Sequence, residues 1–170
     1  MINAKIDYKK NEKFDNLYTP ERAVKPLLNY VHTGLKIWEC CDHTGDSNIS
    51  KVLRDYGCEV ITSDIRSGFD FLTDTQTQDF DIIVTNPPYS LKDKFLQRCY
   101  EYGKPFALLL PLTALEGIQR SKMFQKYGIS VIVLDRRIDF TGKKACWFNV
   151  SWFTHGIVGD YQLYFEEVFA

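Results

Sequence analysis

Strand-like segments that alternate with helix-like ones predict an α/β fold. The sheet is expected to be mostly parallel, with helices on both faces, because each helix returns the chain to start the next strand. Two aromatic-rich segments at the end, joined by a turn-rich stretch, add a C-terminal antiparallel hairpin. At 170 residues the chain is long enough for one domain with a proper core and short for two. Apolar residues at 45% and charged residues at 25% fit a soluble globular protein.

Residues 1–16 are polar and lysine-rich and read as an N-terminal arm, leaving 17–170 as a single domain. The segment "YTPERAVKPLLNYVHTG" predicts a helix. Thr19 stands at its N-cap, Pro20 at its first position and Gly34 at its end, and Pro26 marks a kink or an early break. "LKIWECC" then reads as a strand, and "NISKVLRDYG" as a helix closed by Gly57. "EVITSDI" and "DFDIIVTN" are the next two strands. "LKDKFLQRCYEYG" places Phe95, Leu96, Cys99 and Tyr102 at helical spacing. "PFALLLPL" is a continuous apolar run, as suits a strand covered on both faces. "ALEGIQRSKMFQKYG" is a helix and "ISVIVLD" a strand. "KACWFNVSWFTH" and "YQLYFEEV", joined by "GIVGD", form the expected hairpin.

The formal net charge is −1, so any nucleic-acid binding needs a local basic patch. Five cysteines form no Cys-x-x-Cys pair, and their odd number fits a reducing cytoplasm. Cys40, Cys41 and His43 do not make a zinc site, because adjacent strand residues point to opposite faces. No metal is expected. Neither a signal peptide nor an apolar run of membrane-spanning length is visible, so no membrane partner is expected.

In sheets of this kind, ligands bind beyond the carboxyl ends of the strands. "CDHTGD", "SDI" and "TNPPYS" each follow a strand and therefore share one rim. In "TNPPYS", Pro87 and Pro88 lack N–H groups and stiffen the backbone, so the local carbonyls stay free as acceptors. Asn86 adds a side-chain oxygen. Two acceptors beside the flat ring of Tyr89 suit an NH2 group carried on a planar ring. Asp64 lies about 20 residues past Gly45, where a carboxylate binds ribose hydroxyls in dinucleotide folds. The same carboxylate also fits a helix cap or a plain surface position. Gly45 allows close approach of backbone to a ligand. Asp70, Phe71 and Leu72 fit the wall of an adenine pocket.

These residues resemble the S-adenosylmethionine-dependent amino methyltransferases with an (Asp/Asn)-Pro-Pro-(Tyr/Phe) motif, above all the small phage-type N6-adenine DNA methyltransferases. The likeness runs over about residues 17–155. It implies a Rossmann-like methyltransferase fold, S-adenosylmethionine as cofactor, and catalysis by Asn86, Pro87, Pro88 and Tyr89. "YTPERAV" resembles the segment that holds the methionine end, which implies cofactor contacts at Tyr18, Thr19 and Pro20. "WECCDHTGDSNISKVL" resembles the first cofactor motif, with Glu39, Cys40, Gly45 and Asp46. "VITSDI" resembles the ribose motif (Asp64, Ile65), "DFL" the adenine motif (Asp70, Phe71), and Asn86 closes the cofactor site. Two departures stand out: "CCDHTGDS" is about two residues longer than the usual turn, and Ser47 stands where a second glycine is usual.

The implied substrate side comprises Tyr89, Ser90, Arg136, Arg137, Lys143, Lys144 and Trp147. The basic residues bracket "IDFTG" and also fit a solvated loop, and Trp147 also fits core packing. The implied partner is nucleic acid, DNA first, in the cytoplasm of a bacterium or a phage host. There is no room for a separate target-recognition domain, so sequence selectivity would be poor or would come from a homodimer or another partner. An Asn-Pro-Pro-Tyr site also serves methylation of RNA bases and of a protein glutamine, and a non-catalytic cofactor-binding homologue would keep the fold.

Overall fold

The computed structural model describes residues 18–140 and 148–169. Among them, seven strands form one sheet: β1 (Lys36–Glu39), β2 (Glu59–Thr62), β3 (Ile82–Thr85), β4 (Phe106–Pro111), β5 (Ser130–Leu134), β6 (Val150–His155) and β7 (Leu163–Glu166). Their order across the sheet is β2-β1-β3-β4-β6-β5-β7. The pairs β1–β2, β1–β3, β3–β4 and β5–β7 are parallel. Only β6 runs against its neighbours, β4 and β5.

The helices are α1 (Glu21–Val24), α2 (Asn48–Asp55), α3 (Lys92–Tyr102) and α4 (Ile118–Tyr127). Alternation along the strands divides the core between the two faces. Ile37, Ile82, Val84, Ala107 and Leu109 pack with Ala23 and Val24 of α1 and with Val52 and Leu53 of α2. Trp38, Ile83, Phe106, Leu108 and Leu110 pack with Phe95, Leu96 and Cys99 of α3 and with Phe124 of α4. Every residue of β4 is buried, as its unbroken apolar run requires. The expected α/β architecture is therefore present.

Three details differ from the expectation. The antiparallel hairpin joins β5 to β6, whereas β7 runs parallel beside β5. Both edges of β6 are already taken by β4 and β5, so β7 has no edge there to pair with. Instead, Tyr164 packs edge-on against Tyr30 at 5.3 Å, and Glu166 accepts hydrogen bonds from Tyr30 Oη at 2.5 Å and Asn29 Nδ2 at 2.9 Å.

The first helix is capped by Pro20 rather than Thr19, and it tightens into a 3-10 turn over Lys25–Asn29. Pro26 has no N–H for the carbonyl of Arg22, which explains the early break. The segment 114–128 is likewise two pieces. A 3-10 turn, Leu112–Leu115, is separated from α4 by Gly117 at φ 111°, a value that favours glycine.

Candidate active site

The parallel strands β1, β2 and β3 deliver their carboxyl ends to one rim. Backbone hydrogen bonds tie the first two exits together, from Ser63 N to Glu39 O at 3.1 Å and from Asp42 N to Ser63 O at 3.0 Å. The chain that leaves β1 is organised by Asp42, which is buried. One carboxylate oxygen accepts from the N–H groups of Thr44 (3.2 Å) and Gly45 (2.8 Å). The other accepts from Ser47 N (3.1 Å) and Ser50 Oγ (2.6 Å). Burial alone would raise the pKa of Asp42, but the donors from Ser50, Ser47 and Gly45 outweigh it and hold the carboxyl below its usual value. Gly45 sits at φ 77°. Ser47, in the place of the usual second glycine, caps α2 by accepting from Ser50 N at 3.1 Å.

Glu39, at the end of β1, is buried, and its Oε1 accepts from Cys41 N at 2.9 Å and from Thr85 Oγ1. Its Oε2 is buried with no partner. Burial pushes its pKa up to about 8. The Thr85 and Cys41 hydrogen bonds resist this, and the nearby carboxylates of Asp42 and Asp64 add to it. Thr85 belongs to β3 and directly precedes Asn86, so Glu39 braces the strand that carries the Asn-Pro-Pro-Tyr segment.

Asn86 is half-buried. Its Nδ2 donates to Thr19 Oγ1 at 3.0 Å, while its Oδ1 is buried and unpartnered. The carbonyl of the buried Thr19 accepts in turn from Asn48 Nδ2 at 2.9 Å. Thr19 thus joins the N-terminal segment to both α2 and the exit of β3. Pro87 is buried and Pro88 half-buried. Tyr89 begins a 3-10 turn and meets the ring of Phe148 edge-on at 5.9 Å. Ser90 beside it is exposed.

Asp64 follows β2 and caps the 3-10 turn Ile65–Ser67. Its carboxylate accepts from Arg66 N (2.8 Å), Nε (2.7 Å) and Nη2 (3.2 Å). The capping alternative is therefore realised, and both oxygens are held by Arg66. The hydrogen bond to Asp64 raises the pKa of Arg66 above its usual value, against the opposing effect of burial.

The other sequence-selected residues are placed as follows. Cys40 and Phe71 are core residues, 2% and 3% exposed, and Phe71 stacks on Phe95 at 4.8 Å. Their side chains face the interior, whereas Asp70 and Leu72 beside them are half-buried. Tyr18, Asp46 and Ile65 are exposed, and Pro20 is half-buried. Arg136 and Arg137 are exposed just past β5, three strand spacings from β3, or about 14 Å across the sheet. Arg136 pairs with Asp135 at 3.0 Å. Lys143, Lys144 and Trp147 lie outside the described residues.

Sequence reasoning missed Asp42 as the organiser of its loop, although an Asp three residues before a Gly is a turn signal. It also missed Arg98. From α3, Arg98 donates to the carbonyls of Phe71 (3.3 Å) and Asp74 (2.9 Å) and stacks on Tyr102, bracing the loop after β2. No local pattern marks that interaction, because its partners lie 27 and 24 residues away. Among the described residues, no group of three or more His, Cys, Asp or Glu could hold a metal ion, and no helix is long and apolar enough to cross a membrane.

No protein-family model and no curated protein matches the sequence. The architecture does match solved structures. A predicted O-methyltransferase from Agrobacterium tumefaciens overlays with a TM-score of 0.54 at 12% identity, covering 86% of this chain and 85% of that one. A TehB-like SAM-dependent methyltransferase from Corynebacterium glutamicum gives 0.48 at 15% identity, over 79% and 87% of the two chains. A release factor-specific protein-(glutamine-N5) methyltransferase from Alicyclobacillus acidocaldarius gives 0.45 at 16% identity, over 79% and 90%. The first overlay shows a shared fold, and the two below 0.5 carry no weight. The chain has the Rossmann-like methyltransferase fold, and fold alone assigns no substrate.

Proposed function

We propose that this protein transfers a methyl group from S-adenosylmethionine to the exocyclic N6 amine of adenine in DNA. The observation that carries the reading is the buried, unpartnered Oδ1 of Asn86 at the exit of β3, beside the two prolines and Tyr89. A buried acceptor without a donor is unfavourable by itself, so it marks a place where a donor is expected. The backbone carbonyl of Pro87 supplies a second acceptor.

S-adenosylmethionine, when bound, supplies a methyl group on a sulfonium centre. Glu39, the Asp42–Ser47 turn and Asp70 are the residues that would hold it, and Asp64 would join them by yielding an oxygen that Arg66 now holds. The two acceptors grip the substrate amine. They stabilise positive charge as its lone pair leaves the ring to form the new N–C bond while the C–S bond breaks. The nitrogen then sheds a proton to water. Tyr89 would stack on an adenine rotated out of the duplex, worth about 1–3 kcal/mol.

Incubation with labelled S-adenosylmethionine and unmethylated DNA, tRNA or cell protein tests the proposal, with Asn86→Ala alongside. Label recovered as N6-methyladenine in DNA, and lost in the variant, supports it. Label in RNA or in glutamine replaces the substrate. Cofactor binding without transfer to any of them contradicts catalysis.

A further inference from the structure

We infer that Thr19 is a positioning residue for Asn86: its hydroxyl oxygen ties down the amide nitrogen and so turns Oδ1 toward the incoming amine. This rests on the reading of the rim as a methyl-transfer site. An asparagine amide has two ends of similar size and opposite hydrogen-bonding character. Only one of its two flips presents an acceptor. In the structure Nδ2 is spent on Thr19 Oγ1 at 3.0 Å, and Oδ1 is the end left without a partner.

Thr19 can act as a fixed post because it is itself anchored. It is 6% exposed, and its carbonyl accepts from Asn48 Nδ2 at 2.9 Å. Asn48 is the first residue of α2, and the start of that helix is held by the Ser47 cap and the Asp42 carboxylate. The catalytic amide is therefore oriented through a chain that starts at the loop after β1 and reaches across 67 residues of sequence. Serine keeps the hydroxyl oxygen that accepts from Asn86 and so serves as well as threonine. Valine has the same shape and no acceptor. With valine at position 19, Nδ2 loses its tether, and the flipped amide sets a donor against the donor of the substrate amine.

Thr19→Val and Thr19→Ser in the full chain test this with two readouts. In a 15N–1H spectrum the side-chain NH2 pair of Asn86 is assigned by its loss in Asn86→Ala. Thr19→Val shifts that pair, and Thr19→Ser leaves it near its wild-type position. In single-turnover and titration measurements, Thr19→Val lowers methyl transfer on the order of 10- to 100-fold, as misplacement of a reacting group does, while cofactor Kd changes little. Thr19→Ser restores most of the rate. An unmoved Asn86 pair in Thr19→Val overturns the tether. A loss confined to cofactor Kd makes Thr19 a cofactor contact and overturns the positioning role. If the wild type methylates nothing, the functional reading fails, and the amide spectrum still decides whether Thr19 holds Asn86.

Discussion

Replacing Glu39 with glutamine should make stability less sensitive to pH, by an amount that follows from burial. The folded chain holds this carboxyl at a pKa of about 8, against an ordinary 4.5. Below 4.5 the group is protonated in both states. Between the two values the folded chain keeps a proton that the unfolded chain has lost, so stability falls as pH rises. Above about 8 both states are ionised and the cost of the buried anion is fully present. The interval is about 3.5 pH units. At about 1.36 kcal/mol per unit it corresponds to at most about 5 kcal/mol. Glutamine keeps an oxygen for Cys41 N and Thr85 Oγ1 and does not titrate. Urea unfolding of both proteins from about pH 5 to about pH 9 reads the effect. The difference, glutamine variant minus wild type, is expected to climb by up to about 1.4 kcal/mol per pH unit and to level off past pH 8. A difference that stays flat across this range refutes the buried-carboxyl argument.

Other perturbations test neighbouring parts of the site. Thr85→Val removes a hydrogen bond that lowers the Glu39 pKa, so the levelling point should move to higher pH in the same unfolding series. Asp42→Ala strips four donors of their acceptor. It should cost about 3 kcal/mol in urea unfolding and weaken cofactor binding measured by calorimetry; unchanged values would show that the loop holds itself. Neutralising Arg136, Arg137, Lys143 and Lys144 together should flatten the salt dependence of DNA binding, by about 0.9 in the log–log slope for each phosphate that is no longer neutralised. An unchanged slope would remove that loop from the DNA surface.

The sheet was legible because its signals are local and repeated. The fully apolar "FALLLP" became the all-buried β4, and the carboxyl ends of β1, β2 and β3 met on one rim as their exits implied. What the sequence could not show was which edge a strand would find free. Alternation in "YQLYFEEV" predicts a strand, but its neighbour was decided by β4 and β5 having already enclosed β6. Side-chain fates at the rim were similarly hidden. Spacing placed Asp64 at the right strand end, yet the arginine two residues on takes both its oxygens. Phe71 sits beside a polar Asp70, but the aromatic cluster around Trp38 draws its ring inward. Thr19 and Asn86, 67 positions apart, meet only because α1 packs over the sheet.

The most direct test is nucleoside mass spectrometry of unmethylated DNA incubated with S-adenosylmethionine and either the wild-type protein or Asn86→Ala. The account predicts N6-methyladenine with the wild type and a fall on the order of 100- to 1,000-fold with the variant, the usual effect of losing one preorganised charge-stabilising group, while both proteins still bind cofactor. Equal N6-methyladenine from the two proteins would contradict the role given to the unpartnered Asn86 oxygen, and so the central claim.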